Sequence, residues 1–181
     1  MKGRVHAGWM VGILFMVAAF AAGGWAQEKA KTAQAVAPEK LGSFLKEFTG
    51  WEADGPAEGQ TMKTSAGTYT MSSRSYTQGE KELEVTIIDG AYVPLAYADF
   101  NELKEEVGAK GVATVKSIQL AGHPALEAYE PEDKAATLMV LVKDRILVIM
   151  DLDGASPKDD LKPLANRLDW KGLEALVSSG K

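Results

Sequence analysis

The sequence predicts an α+β domain: a central antiparallel sheet of about six strands flanked by helices, in the order α-β-β-α-β-β-β-β-α. Three observations predict it. Residues 68–76 and 82–89 are joined at Gln78-Gly79, and the second run alternates Leu83, Val85 and Ile87 against Glu84, Thr86 and Ile88, as a β-hairpin does. Residues 136–142 and 146–152 are apolar on both faces and joined tightly by Lys143-Asp144-Arg145, as strands covered on both sides are. Segments with apolar side chains at helical spacing stand before, between and after these strands.

The elements follow in order. Pro38 suits a first helical position, and Leu41, Phe44, Leu45 and Phe48 form one apolar stripe that Gly50 ends. Residues 52–67 are polar and hold Gly55, Pro56, Gly59 and Gly67, which reads as a loop. After the hairpin, residues 92–107 read as a helix with Ala96, Phe100, Leu103 and Val107 on one face, stopped by Gly108 and Gly111. Residues 112–120 and 125–130 are strands around an Ala121-Gly122-His123-Pro124 turn, and residues 131–134 turn into the two apolar strands. A last helix opens with Ser156 as cap, Pro157 in the first turn and Asp159 and Asp160 facing the positive helix end. Leu161, Leu164, Ala165 and Leu168 form its stripe, and Trp170, Leu173, Leu176 and Val177 continue it after a break near Asp169.

The N-terminus carries an address. Lys2 and Arg4 precede an uncharged, largely apolar run, and Gly24 and Ala26 place small side chains just before Gln27. This is the layout of a secretory signal peptide, residues 1–26, cleaved after Ala26. The alternative is an uncleaved anchor, but the apolar run falls short of the about 20 residues that a spanning helix needs and ends in Ala and Gly. Residues 27–37 then read as a flexible tether, and residues 38–178 as one domain. The expected location is periplasmic or secreted.

Composition narrows the function classes. The 181-residue chain has a net charge of −5 and no cysteine, and loss of Lys2 and Arg4 with the leader leaves it near −7. A nucleic-acid binder needs a basic face, which this balance disfavours. Polybasic attraction to anionic lipid is lacking too, so contact with a membrane would come through an uncleaved leader alone. Stability must come from the core rather than from disulfides.

The element order resembles the Mog1/PsbP-like fold and, within it, the small bacterial periplasmic proteins of the DcrB type. The residues that carry the likeness are the hairpin of residues 69–89, the GHPALEAY stretch of residues 122–129, the paired strands LMVLVKDRILVIM of residues 138–150, and a closing amphipathic helix ending in Asp169-Trp170. The resemblance covers most of residues 38–177. It implies a central antiparallel sheet flanked by helices and, because the fold hosts unrelated binding roles, it transfers no catalytic residue. DcrB-type proteins are usually lipidated, and this chain has no cysteine to carry a lipid.

Candidate site residues are few. His123 is the only histidine after the leader, and an extended segment places it on the same face as Glu127. The pair could serve catalysis or a metal, yet zinc wants more ligands than these, and the plainer reading is a turn histidine before a proline. Asp151, Asp153, Gly154, Asp159 and Asp160 hint at calcium, but Gly154 comes too early for an EF-hand and no terminal Glu follows at the right place. Ser43-Phe44-Leu45-Lys46 matches Ser-x-x-Lys, and Lys63-Thr64-Ser65 echoes Lys-Thr-Gly, but the Ser-Asp-Asn element is missing and Phe44 and Leu45 belong to a core stripe. Trp51, Tyr69, Tyr76, Tyr92, Tyr97 and Tyr129 are an aromatic reserve for a groove or, more plainly, for packing.

These readings assign no catalytic, cofactor-binding or metal-binding residue and no cofactor. His123, Glu127 and Trp51 stand as surface candidates. The expectation is an exported, non-catalytic binding or accessory protein of the cell envelope, with an envelope protein or small ligand as partner. The alternatives are a small envelope hydrolase, or a membrane-tethered domain that keeps its leader.

Overall fold

Alternating side chains give each strand two faces, and the way those faces are covered organises this molecule. A computed structural model describes residues 34–65, 67–91, 93–107 and 114–178. The predicted leader, residues 27–33 of the predicted tether, and Tyr92 lie outside the described residues. No helix among the described residues is long and apolar enough to cross a membrane.

Among the described residues, eight strands form one antiparallel sheet: β1 (Glu52–Ala53), β2 (Glu58–Thr64), β3 (Gly67–Gln78), β4 (Lys81–Asp89), β5 (Thr114–Leu120), β6 (His123–Glu130), β7 (Ala135–Val142) and β8 (Ile146–Asp153). The order is β1-β3-β4-β8-β7-β6-β5, with β2 also paired to β3. The described residues also form four helices, α1 (Pro38–Gly42), α2 (Ala98–Glu105), α3 (Lys162–Ala165) and α4 (Trp170–Ser178), with a 3-10 turn at Pro94–Tyr97 leading into α2.

The sheet therefore has more strands than expected, and the helices are shorter. Much of the expected loop of residues 52–67 is strand: β1 takes Glu52–Ala53, and β2 pairs with β3 from Glu58↔Ser73 to Thr64↔Gly67. An edge strand needs no apolar run, because one of its edges and much of its surface face water. That is why a polar, glycine-bearing sequence can fill the role. Gly59 is needed for the packing, since a Cβ there would lie 2.6 Å from the Pro38 Cβ.

The first helix ends at Gly42 rather than Gly50, although Leu41, Leu45 and Phe48 are all buried as the stripe required. Side chains of β3 take the carbonyls that a longer helix would have used. Arg74 Nη1 donates to Leu45 O at 2.9 Å, and the Tyr76 hydroxyl donates to Lys46 O at 2.9 Å.

The closing helix is also revised. Residues 156–160 form turns, with Asp159 Oδ2 accepting from the Ser156 N–H at 2.7 Å, so Ser156 and Pro157 do not start the helix. The break near Asp169 is present. Asp169 Oδ1 accepts the Gly172 N–H at 2.9 Å and caps α4.

One sheet face carries the main core. Leu83, Val85 and Ile87 of β4, Leu138 and Val140 of β7, and Val148 and Met150 of β8 meet Leu41, Leu45, Leu161, Ala165, Leu168 and Leu173 from the helical segments. On the opposite face Leu126, Met139 and Leu147 are covered by Phe100 of α2. Val107, past the end of α2, stays 40% exposed rather than joining the stripe expected of it.

Candidate functional site

The turn before β6 is tighter than the sequence suggested. Ala121 and Gly122 alone occupy it, at φ of 50° and 85°, so His123 opens the strand instead of sitting in the turn. Strand parity then directs His123, Ala125 and Glu127 to the main-core face. His123 is 4% exposed and lies against Trp170, with ring centroids 5.8 Å apart. Its Nε2 is 3.1 Å from Glu174 Oε1 of α4. Nε2 makes no hydrogen bond of acceptable alignment to that oxygen, so the contact is a close approach of a ring nitrogen and a carboxylate.

Glu127 shares the face, as its spacing from His123 required, but it engages another helix. Lys162 Nζ lies 2.8 Å from Glu127 Oε1 and 3.0 Å from Asp160 Oδ1. The Glu127 hydrogen bond holds the Lys162 ammonium above its ordinary pKa against partial burial, helped by Asp160. Each residue of the sequence-predicted pair is thus paired with a helix side chain: His123 with α4 and Glu127 with α3. Trp51 belongs elsewhere, half-buried against the main core, with its backbone N–H donating to Phe48 O at 3.0 Å.

The most elaborate polar centre was not anticipated. Arg145, read as part of a plain connecting turn, is 3% exposed, and Asp89 is fully buried. Nε and Nη2 of Arg145 donate to Oδ1 and Oδ2 of Asp89, each at 2.8 Å, as a two-pronged pair. The Ala91 N–H also donates to Oδ1 at 3.0 Å, and the Val36 N–H to Oδ2 at 2.7 Å. Arg145 Nη2 reaches Gln34 O at 3.0 Å, and Thr70 Oγ1 donates to Val36 O at 2.6 Å. The last residues of the predicted tether are therefore hydrogen-bonded to the domain.

Tyr97 completes this centre by donating its hydroxyl to Arg145 O. A Cβ on Gly90 would collide with that tyrosine ring. Burial first, then the Asp89 charge, push the Tyr97 pKa upward and keep its proton in place. One signal was legible: Leu83, Val85, Ile87 and Asp89 share strand parity, so Asp89 had to point inward.

The acids once weighed for calcium are dispersed. Asp159 pairs with Lys81 at 2.5 Å and Asp160 with Lys162. Asp151 and Asp153 lie on the outer face of β8. Asp151 retains open surface, yet its carboxyl is crowded, and that burial pushes its pKa up to about 6 against a hydrogen bond from Thr137. Among the described residues, no group of three or more His, Cys, Asp or Glu side chains could hold a metal ion.

The remaining motif residues have local roles. Ser43 Oγ donates to Lys40 O at 2.7 Å, and Lys63 and Thr64 lie in β2. Tyr76 is wholly buried against Phe48, Tyr69 is buried, and Tyr129 is half-buried at the core. Comparison with known protein families, with curated proteins and with solved structures gives no match.

Proposed function

We propose that this chain is an exported, non-catalytic binding or accessory domain of the cell envelope, acting through a partner protein or small ligand. One observation carries the reading. The side chains best suited to acid–base chemistry, His123 and Glu127, are turned toward the closing helices: His123 is buried against Trp170 with Glu174 3.1 Å away, and Glu127 accepts from Lys162 of α3. A general base must instead be within reach of the proton it removes. Export rests on the charged start, the apolar run and the small residues before Gln27. An antiparallel sheet with helices on both faces also supports the Mog1/PsbP-like resemblance.

Two measurements test this. Intact-mass analysis of the protein from the producing cell's envelope should give a chain starting at Gln27, whereas a full-length mass in the membrane fraction would overturn cleavage. Affinity capture from envelope extract should retain the same partner with wild-type protein and with folded His123→Ala. A hydrolytic turnover by the wild type that folded His123→Ala loses would replace the accessory reading with an enzymatic one.

A further inference from the structure

The sheet is assembled from two groups of strands. β1–β4 form one and the meander β5–β8 the other, and among the described residues the pairing of β4 with β8 is the single sheet junction between them. On the main-core face this seam is apolar throughout: Leu83↔Leu152, Val85↔Met150 and Ile87↔Val148. On the other face it changes character along its length. Ile88 stands opposite Leu147 beneath α2, and Thr86 opposite Ile149, but the far end sets Glu84 opposite Asp151 and Glu82 opposite Asp153. Directly opposed residues in an antiparallel pair bring their Cβ atoms to about 5 Å, where like charges weaken the pairing.

We propose that this end of the β4–β8 seam is a proton-dependent fastener. Ionised, its facing carboxylates repel across the junction of the two strand groups; on mild acidification Asp151 takes up a proton and the junction tightens. The surroundings of Asp151 favour this. From β4 it faces Glu84, with Glu82 one pair along; from β8, Asp153; from the first turn of α2, Asp99. From β7 it faces Thr137, whose neighbours on that face, Ala135 and Met139, carry no charge. Thr137 Oγ1 donates to Asp151 Oδ1 at 2.7 Å, which favours the ionised form. Burial outweighs that bond, and Glu84, Asp153 and Asp99 add to it, so the carboxyl titrates at about 6 instead of 3.8. A carboxyl with a raised folded-state pKa binds its proton more tightly in the folded protein than in the unfolded chain. Stability is therefore greatest near the ordinary value and falls as pH rises through about 6. The inference does not depend on what the domain binds.

Thermal unfolding of the purified full chain tests it. The wild type should melt a few degrees higher at about pH 5 than at about pH 7.5. Asp151→Asn should melt above the wild type at the higher pH and show a flattened profile, with Glu84→Gln moving part of the way. A flat wild-type profile, or the full rise retained in Asp151→Asn, would overturn the proposal. Should the variants not fold, carboxyl-carbon NMR titration of the wild type still decides. A midpoint near 6 for Asp151 supports the fastener, and one near 3.8 removes it.

Discussion

The two ends of the β4–β8 seam handle charge in opposite ways. At the end where β4 finishes, Asp89 is buried beside a cation, and its two oxygens accept four donors from Arg145, Val36 and Ala91. At the other end Glu84 and Asp151 are alike in charge and directly opposed, on residues that keep open surface although the Asp151 carboxyl itself is crowded. Burial forces charge neutralisation and full hydrogen bonding, because an unpaired buried ion costs a large share of a domain's stability. Access to solvent relaxes that demand, since a proton taken from water can remove one of the two facing charges. The buried end is thus fixed in one arrangement, while the open end is left responsive to pH.

Three changes probe the contrast, from the largest effect to the smallest. Val148→Asp places a charge in the apolar middle of the seam, with neither the donors of Asp89 nor the solvent of Asp151. The cost should be comparable to the whole stability of a domain, about 5–15 kcal/mol, and no folded protein should be recovered. A variant that melted like the wild type would refute the placement of β8 in the core.

Arg145→Met leaves the Asp89 carboxylate buried without its cation. Urea unfolding should show a loss of about 3–5 kcal/mol. Adding Asp89→Leu should recover much of it, because the uncompensated charge is then gone. If the double variant were weaker by the sum of both single losses, the pair would not act as a unit.

The smallest effect concerns Asp159, whose pKa is lowered first by its Lys81 hydrogen bond, against some burial and with help from Ser156. A lowered carboxyl contributes stability above its ordinary value, and that contribution disappears as pH falls through the folded-state pKa. Asp159→Asn should therefore cost at most about 1 kcal/mol at neutral pH, since the pair is partly exposed, and the difference should fade below about pH 4. Asp151 has the opposite sign, so the two contributions together are greatest near the ordinary carboxylate value of 3.8 and decline as pH rises to about 6. A pH series of urea midpoints measures both limbs.

Much of the fold was legible because alternation and apolar runs report burial directly. The hairpin of β3 and β4, the meander from β5 to β8, and the break before α4 follow from residues such as Val85, Leu138 and Asp169. What failed to show was set by partners distant in sequence. β2 is a strand because β3 offers a ladder, not because its own side chains are apolar. The helix after Pro38 gives way to turns after Gly42, and Arg74 and Tyr76 of β3 take the Leu45 and Lys46 carbonyls beyond it.

At the candidate site, parity placed His123 and Glu127 on one face. Nothing in their spacing named Glu174 or Lys162, which arrive from the closing helices. The Asp89–Arg145 pair spans 56 positions, and a Lys-Asp-Arg triplet looks like any solvated turn.

The attachment of Gln34 and Val36 also determines how the domain carries load. A pull on the chain upstream of Gln34 acts first on the bonds from Arg145 to Gln34 O and from Val36 to Asp89, and on the Thr70 bond to Val36 O. Those anchors sit on β3, β4 and the β7–β8 turn, so tension spreads into both strand groups instead of peeling a single edge strand. Arg145 and Asp89 thus form a mechanical anchorage, through which force is shared across the seam before any strand begins to unzip.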